Sequence, residues 1–393
     1  MSHQNSKLNI DDIGNQLGLT PQFLYEAANL ASTQYMIFDL PKRAGGFRTI
    51  CSPKDELKRI QRAILEALLW NFSMPEHVHG CVRGRSIVSN ARPHVNKPLV
   101  LTIDLKDFFG SIGVALVNKI YQDHFNCDEH SADILTKLTT YGNFLPQGAP
   151  TSPTLANIAA LPLDESIIEI CQQNLALFGY SRYVDDITIS GDSKLALLLG
   201  DLYKAVNKNG FSANAEKLKA SLPSNRQKVT GVIVNKKLGP PKKLIRKIRQ
   251  QLHYCGRFGI EDHCQHEGIE PEEFVNQING MLGYIRLTQP EVADEFKIKL
   301  TKIQALISFN TLEEEEKKFL MLKYAIEEEK NITFSYNDSH RRVAPEEISI
   351  DDDGVKTLRA YQIFPDYGWK RFNILSIQSV SYTHLTLPTN REV

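Results

Sequence analysis

Apolar runs in this 393-residue chain stay short, and none reaches the roughly 18 residues of a membrane-spanning helix, so no helical membrane span is expected. No secretory leader is recognisable in the first residues. Cysteine is scarce: six residues, at 51, 81, 127, 171, 255 and 264, with no CxxC spacing, which argues against a disulfide-stapled fold. A reducing cytoplasm is the expected location. His253, Cys255, His263, Cys264 and His266 cluster, but their spacing fits no standard zinc site. Net charge is missing too, with 46 basic and 46 acidic residues, which at first sight argues against a nucleic-acid partner.

That balance is uneven along the chain. From Thr311 onward there are 11 Lys and Arg against 15 Asp and Glu, so the preceding residues are basic by 4 charges. The excess is concentrated between 236 and 257, where Lys236, Lys237, Lys242, Lys243, Arg246, Lys247, Arg249 and Arg257 occur with no acid. Leu244, Ile245, Ile248 and Leu252 repeat at helical spacing there, which predicts an amphipathic basic helix starting after Pro240-Pro241.

Carboxylates stand where chemistry can use them. The run Leu99-Val100-Leu101-Thr102-Ile103 is too short for a helix and rich in branched residues, so it reads as a buried strand with Asp104 at its end. Arg182-Tyr183-Val184-Asp185-Asp186-Ile187-Thr188-Ile189 reads as a tight hairpin with Asp185 and Asp186 in its turn. Side by side, the two segments would bring three carboxylates to one point that only cations could hold together. Asp is also common in turns for local reasons, so the pair alone is a weak signal. Between them, Leu145-Pro146-Gln147-Gly148 leads to Ser152, a natural N-cap, and Pro153, suited to a first helical position. Gln147 and Gly148 are thus expected in a loop that allows close approach to a base or sugar.

The order Asp104-Leu105-Lys106-Asp107-Phe108-Phe109, Leu145-Pro146-Gln147-Gly148, Tyr183-Val184-Asp185-Asp186 resembles the palm of reverse transcriptases. Asn90-Ala91-Arg92-Pro93-His94 and Val229-Thr230-Gly231 resemble two elements of the retron reverse transcriptases, on the expected sides of the palm. The likeness covers roughly residues 20 to 310. It implies RNA-directed DNA synthesis with two magnesium ions about 4 Å apart and deoxynucleoside triphosphate substrates. Asp104 and Asp185 would be the principal metal ligands, with Asp186 in support and Leu105 in the metal set. Phe109 would exclude ribonucleotides by closing on the sugar 2′-carbon, although either Phe108 or Phe109 could equally be core. Arg48, with Lys42 beside it in the hairpin Lys42-Arg43-Ala44-Gly45-Gly46-Phe47-Arg48, would clamp the triphosphate. Lys217 would be the general acid for pyrophosphate, with Lys219 close enough to blur the correspondence. Asn90 and His94 would order the retron-specific segment or touch RNA. Lys242, Lys243, Arg246, Lys247 and Arg249 would grip the template–primer duplex through its phosphates.

The expected fold is α+β, a right-hand polymerase with fingers, an RRM-like palm and a helical thumb, followed by a small β-rich domain. The expected boundaries are an N-terminal helical segment to 30, fingers and palm over 31–235, thumb over 236–310 and an acidic helical connector over 311–330. A β module follows over 331–380, weakly similar to WYL-type ligand-sensing modules but without Trp-Tyr-Leu itself, and then a tail over 381–393 of different character. Retron resemblance further implies a cognate structured RNA as template and primer, a branched RNA–DNA product, a role in antiphage defence and an effector protein as partner. The rival readings are a sensor or toxin-control module with the polymerase as scaffold, or another bacterial reverse transcriptase class; no maturase or nuclease extension is recognisable.

Overall fold

The computed structural model describes residues 7–42, 45–311, 313–350 and 355–382. Arg43 and Ala44 of the Gly-Gly hairpin, and all but the first two residues of the tail expected from 381, lie outside the described residues. The chain divides into two compact units, Met1–Pro241 and Lys242–Val393.

The first unit opens with helices α1 (Ile10–Leu17) and α2 (Pro21–Leu30), then a hairpin of β1 (Tyr35–Pro41) and β2 (Phe47–Pro53). Helix α3 (Asp55–Ala67) follows, with Asp55 and Glu56 in its first turn and Leu57, Ile60, Gln61 and Ile64 on its buried stripe. Buried Gln61 is tied there through its Nε2, which donates to Tyr35 Oη and to the Leu138 carbonyl, both at 2.8 Å. After α4 (Ile87–Ala91) comes β3 (Leu99–Lys106), whose Leu101, Ile103 and Leu105 enter the main core. Helices α5 (Val114–Phe125), α6 (Glu129–Thr139), α7 (Ser152–Ala159) and α8 (Leu161–Asn174) precede the hairpin of β4 (Gly179–Tyr183) and β5 (Asp186–Gly191). Then come α9 (Leu199–Lys208), β6 (Ser212–Ala213) and β7 (Lys219–Ser221), and the small hairpin β8 (Lys228–Val229) and β9 (Val232–Ile233).

The central sheet runs β4-β5-β3-β6, with β7 also paired to β3, and every pairing is antiparallel. Its core-facing Ile103, Ile187 and Ile189 are buried in one core with residues of α3, α5, α6, α7 and α8. Thr151, not Ser152, occupies the N-cap position of α7, without a side-chain capping bond; Ser152 is already helical, one step inside the expected start.

Asn90 and His94 are completely buried, which favours the ordering role over RNA contact, the two alternatives expected of them. His94 bridges two strands, Nδ1 to Ser190 Oγ and Nε2 to Ser181 Oγ, both at 2.8 Å. Asn90 Nδ2 donates to Thr230 Oγ1 at 3.3 Å, so the two strings that signalled the retron family meet in space. Thr230 and Gly231 make the turn between β8 and β9 with φ of 42° and 96°. Val229 and Val232 on either side pack with Ala91, Val100 and Val234 in a separate small core.

The second unit begins with α10 (Lys242–Phe258), α11 (Ile260–Glu267), α12 (Pro271–Arg286) and α13 (Pro290–Thr311). Ile248, Leu252, Phe274, Ile278, Leu282, Phe296 and Leu300 form their common core, which also takes in Cys255 and Cys264 as buried free thiols. Among the described residues no group of three His, Cys, Asp or Glu is arranged to hold a metal. Lys242, Lys243, Arg246, Lys247 and Arg249 are all exposed on α10. Helix α14 (Glu314–Glu327) precedes a five-stranded antiparallel sheet of β10 (Ile332–Tyr336), β11 (Ser339–Ile350), β12 (Lys356–Phe364), β13 (Gly368–Asn373) and β14 (Ile377–Tyr382), in the order β13-β12-β11-β10-β14. Leu322 and Ala325 of α14 are buried with Phe334, Leu358 and Phe372, so this helix and the sheet share one core.

Burial holds the His94 imidazole neutral, with its pKa lowered to about 3, helped by the nearby charges of His79 and Lys97. The folded value is depressed below the ordinary value of about 6.5, so this contribution is complete above that pH and is lost as the unfolded chain takes up the proton below it. Stability of the first unit should therefore fall by about 1.4 kcal/mol per pH unit on acidification below about 6.5 from this residue alone. His94→Gln, which cannot protonate, should remove that share of the slope; denaturant titrations at several pH values with unchanged slopes would contradict it.

Candidate active site

Register fixes the acids. β3 and β5 pair so that Asp104 stands directly opposite Asp186, and β4 and β5 pair through Tyr183 opposite Asp186. The β4–β5 turn is therefore Val184-Asp185, and Asp186 opens β5 instead of lying in the turn as expected from sequence. Val184 has φ of 59°, a left-handed conformation that a β-branched residue adopts only under constraint. Asp185 is half-buried, and its carbonyl accepts from Leu105 N at 2.9 Å. Asp104 is tied through its carbonyl to Asn214 N at 2.8 Å, which places the next residues, Ala215 to Lys217, over the strand end.

Lys217 Nζ then reaches both oxygens of Asp104, at 2.8 and 3.0 Å. Lys219, its rival by sequence, instead lies in β7 opposite Thr102. The three carboxylates thus gather at one strand edge. They are not closed around a single point, since no group of three ligating side chains among the described residues could hold one ion, which corrects the sequence expectation. The cation in contact with Asp104 is the Lys217 ammonium, whose charge also acts on Asp185 and Asp186.

Their electrostatics show mutual repulsion. Burial, and then the charge of Asp104, raise the Asp185 pKa against the opposing pull of Lys217 and Arg48. Loss of solvent around the Asp186 carboxyl, and then the charges of Asp185 and Asp104, push its pKa up to about 6. The Lys217 pKa is raised, first by its hydrogen bond to Asp104 and then by the surrounding acids.

Phe108 is buried against Phe211, with centroids 5.5 Å apart, whereas Phe109 is only half-buried beside it. Of the two rings, Phe109 is the one with a free side. The Gln147 carbonyl accepts from Cys51 N at 2.9 Å, which fastens its loop to the β1–β2 hairpin. Gly148 has φ of 126°, and a Cβ there would sit 3.0 Å from Ile50 Cγ2 and 3.1 Å from the Cys51 carbonyl oxygen. Arg48 lies on β2 opposite Leu40, near enough for its charge to act on Asp185. Lys42 is at the hairpin tip, exposed, with its backbone paired to Gly46.

Sequence reasoning missed a buried network directly behind the turn. Arg182 and Asp164 are both inaccessible to solvent and paired at 2.7 Å. Burial alone would raise the Asp164 pKa, but the Arg182 charge, with hydrogen bonds from neighbouring side chains, holds it below the usual carboxylate range. The signal available was an Arg placed within the strand-like segment that ends at Tyr183.

Among family models, one described as reverse transcriptase (RNA-dependent DNA polymerase) matches residues 40–234. The retron Mx65 reverse transcriptase of Myxococcus xanthus is 34% identical over 66% of this chain and 62% of its own length. The retron Ec86 reverse transcriptase of Escherichia coli is 30% identical over 65% of this chain and 82% of its own. The telomerase structure from Candida albicans aligns with a TM-score of 0.40 at 13% identity, over 78% of this chain and 61% of that one. The fold is that of the reverse transcriptase class. Within it, the chain belongs to the retron reverse transcriptases. It spans about 62% of the first two curated relatives it matches.

A divalent ion and the Lys217 ammonium would compete for the same Asp104 oxygens. Magnesium should therefore raise the unfolding temperature of Lys217→Met by a few degrees more than that of the wild type, as mass action on a vacated site requires. Scanning fluorimetry with and without magnesium chloride measures this; equal shifts would refute the competition.

Proposed function

We propose that the chain is the RNA-directed DNA polymerase of a retron, copying a cognate structured RNA that serves as both template and primer into a branched RNA–DNA product. The observation that carries the reading is the strand register that sets Asp104 opposite Asp186, with Asp185 in the adjoining turn. The donor set fits magnesium, because that ion is ordinarily held by one or two carboxylates and completed by waters and substrate phosphates. A cluster of three protein ligands is not required. Asp104 and Asp185 would hold two ions, with Asp186 and Leu105 beside them. Bound there, the ions would activate the attacking hydroxyl and neutralise charge on the departing pyrophosphate.

The remaining roles belong to the chain itself. Lys217, displaced from Asp104, would donate a proton to pyrophosphate. Arg48 and Lys42 would hold the triphosphate, a guanidinium offering bidentate contacts to phosphate oxygens. Gln147 and Gly148 would present backbone to the incoming nucleotide, with Phe109 against its sugar to exclude ribonucleotides. The exposed Lys242, Lys243, Arg246, Lys247 and Arg249 would bind duplex phosphates, a contact that weakens steeply with salt. Initiation from a guanosine 2′-hydroxyl, a part in antiphage defence with an effector partner, and a cytoplasmic site of action belong to the same reading. No helix among the described residues is long and apolar enough to cross a membrane.

Asp185→Asn should reduce RNA-templated DNA synthesis about 10³-fold or more, the scale of several kcal/mol of lost charge stabilisation, with the far-ultraviolet dichroism unchanged. Retained synthesis by that protein would reject the assignment. The rival in which the C-terminal sheet is the operative part is tested by truncation. The cut belongs before Glu313, because one after Glu329 would expose Leu322 and Ala325, which the sheet buries. A folded protein of residues 1–312 should still make DNA, and loss of synthesis would favour the rival.

A further inference from the structure

We propose that Arg182 is a positioning residue for Asp185, aiming the carboxylate through the peptide that precedes it. The inference rests on the polymerase reading for its functional consequence, but its geometry stands apart from it.

Arg182 is the largest side chain with no solvent exposure in the first unit, and its guanidinium has five N–H donors that must all find acceptors. It finds five. Nε donates to Asp164 Oδ1 and Nη2 to Asp164 Oδ2, both at 2.7 Å. Nη1 reaches Asn157 Oδ1 at 2.8 Å and Nη2 the Asn157 carbonyl at 3.0 Å. The fifth bond runs from Nη1 to the Val184 carbonyl at 3.2 Å. Charge balance requires only the first two. The fifth is made to the strained residue of the turn, immediately before Asp185.

Both peptide planes flanking Asp185 are therefore pinned, the preceding one by Arg182 and the following one by Leu105 N. The constraint is reinforced from the outside by residues 77–80. His79 N donates to the Arg182 carbonyl and Arg182 N to the His77 carbonyl, both at 2.8 Å, which lays this segment along β4. Its end, Gly80, presses on the turn so closely that a Cβ there would lie 2.6 Å from both Val184 N and Val184 Cγ2. Asn157 Nδ2 donates to the Gly80 carbonyl at 2.7 Å, so one α7 residue holds both the guanidinium and the segment that covers Val184. Asn157 lies in the helix that follows the Gln147-Gly148 loop, which links the nucleotide-side loop and the acidic turn through one side chain.

A lysine at 182 keeps a cation against Asp164 but cannot span to Val184 as well, since it has neither the planar fork nor its second arm. Arg182→Lys should therefore release the Val184-Asp185 peptide while leaving the ion pair. Electron paramagnetic titration of the full-length protein with Mn²⁺ alone should show affinity weakened about tenfold or more, as for other changes behind a metal ligand. In steady-state synthesis the nucleotide KM should stay near wild type while kcat falls, and raising the metal concentration should recover part of the rate. Gly80→Ala pushes on Val184 from the opposite side, at the Tyr183–Val184 peptide and the valine side chain, while leaving the arginine itself in place, and should give the same pattern. Tyr180→Phe, which removes a 2.5 Å bond to Asp164 and nothing at Val184, should lower the unfolding midpoint and leave Mn²⁺ affinity unchanged.

Wild-type Mn²⁺ affinity in folded Arg182→Lys overturns the proposal. Should Arg182→Lys fail to fold, wild-type affinity in folded Gly80→Ala overturns it equally. Equal losses in Tyr180→Phe also overturn it, since they would make the network merely structural. A wild-type chain that binds Mn²⁺ but makes no DNA on an RNA template rejects the polymerase reading alone; the affinity comparison then still decides the role of Arg182.

Discussion

Antiparallel pairing of β3 with β5 is the constraint on which the site depends. A slip of one residue would take Asp186 away from Asp104 and at the same stroke turn Ile103, Ile187 and Ile189 out of the core. Hydrophobic burial thus enforces a register that electrostatics opposes. Left to themselves, carboxylates facing one another would part; here the apolar residues on the same strands keep them together, and Lys217 offsets part of the repulsion. The energy that concentrates negative charge comes from side chains that never meet the substrate.

Much of this was legible in the sequence because period and spacing are local. The apolar run before Asp104, the hairpin around Asp185 and the helix after Pro240-Pro241 each carry their own signal. What escaped was whatever depended on packing between distant segments. Asn90 and His94 left ordering of a segment and contact with RNA equally open, and only the packing among Ser181, Ser190 and Thr230 buries them. Asp164 sits unremarked in a helix until the fold brings Arg182 to it. The turn itself was placed one residue late, because two adjacent Asp give no local sign of which one faces the partner strand.

The second unit shows the same division between pattern and packing. The basic face of α10 follows from composition, since four apolar residues at helical spacing leave the cations nowhere but the surface. Helix α14, by contrast, looks like a linker because acidic clusters bracket it, but Leu322 and Ala325 join it to the sheet core. Apolar content in a charged segment was the better guide to its allegiance than the charges around it.

Val184 carries a further meaning for anyone reshaping this protein. A left-handed valine is a poor local choice, and glycine or asparagine would adopt φ of 59° with far less penalty. Such a replacement would relieve the backbone strain, at the loss of the valine's packing against the core, while letting the neighbouring acid swing more widely. At this position, resistance to heat and accuracy of aim pull in opposite directions. Selection for thermal tolerance alone would be drawn toward the wrong residue.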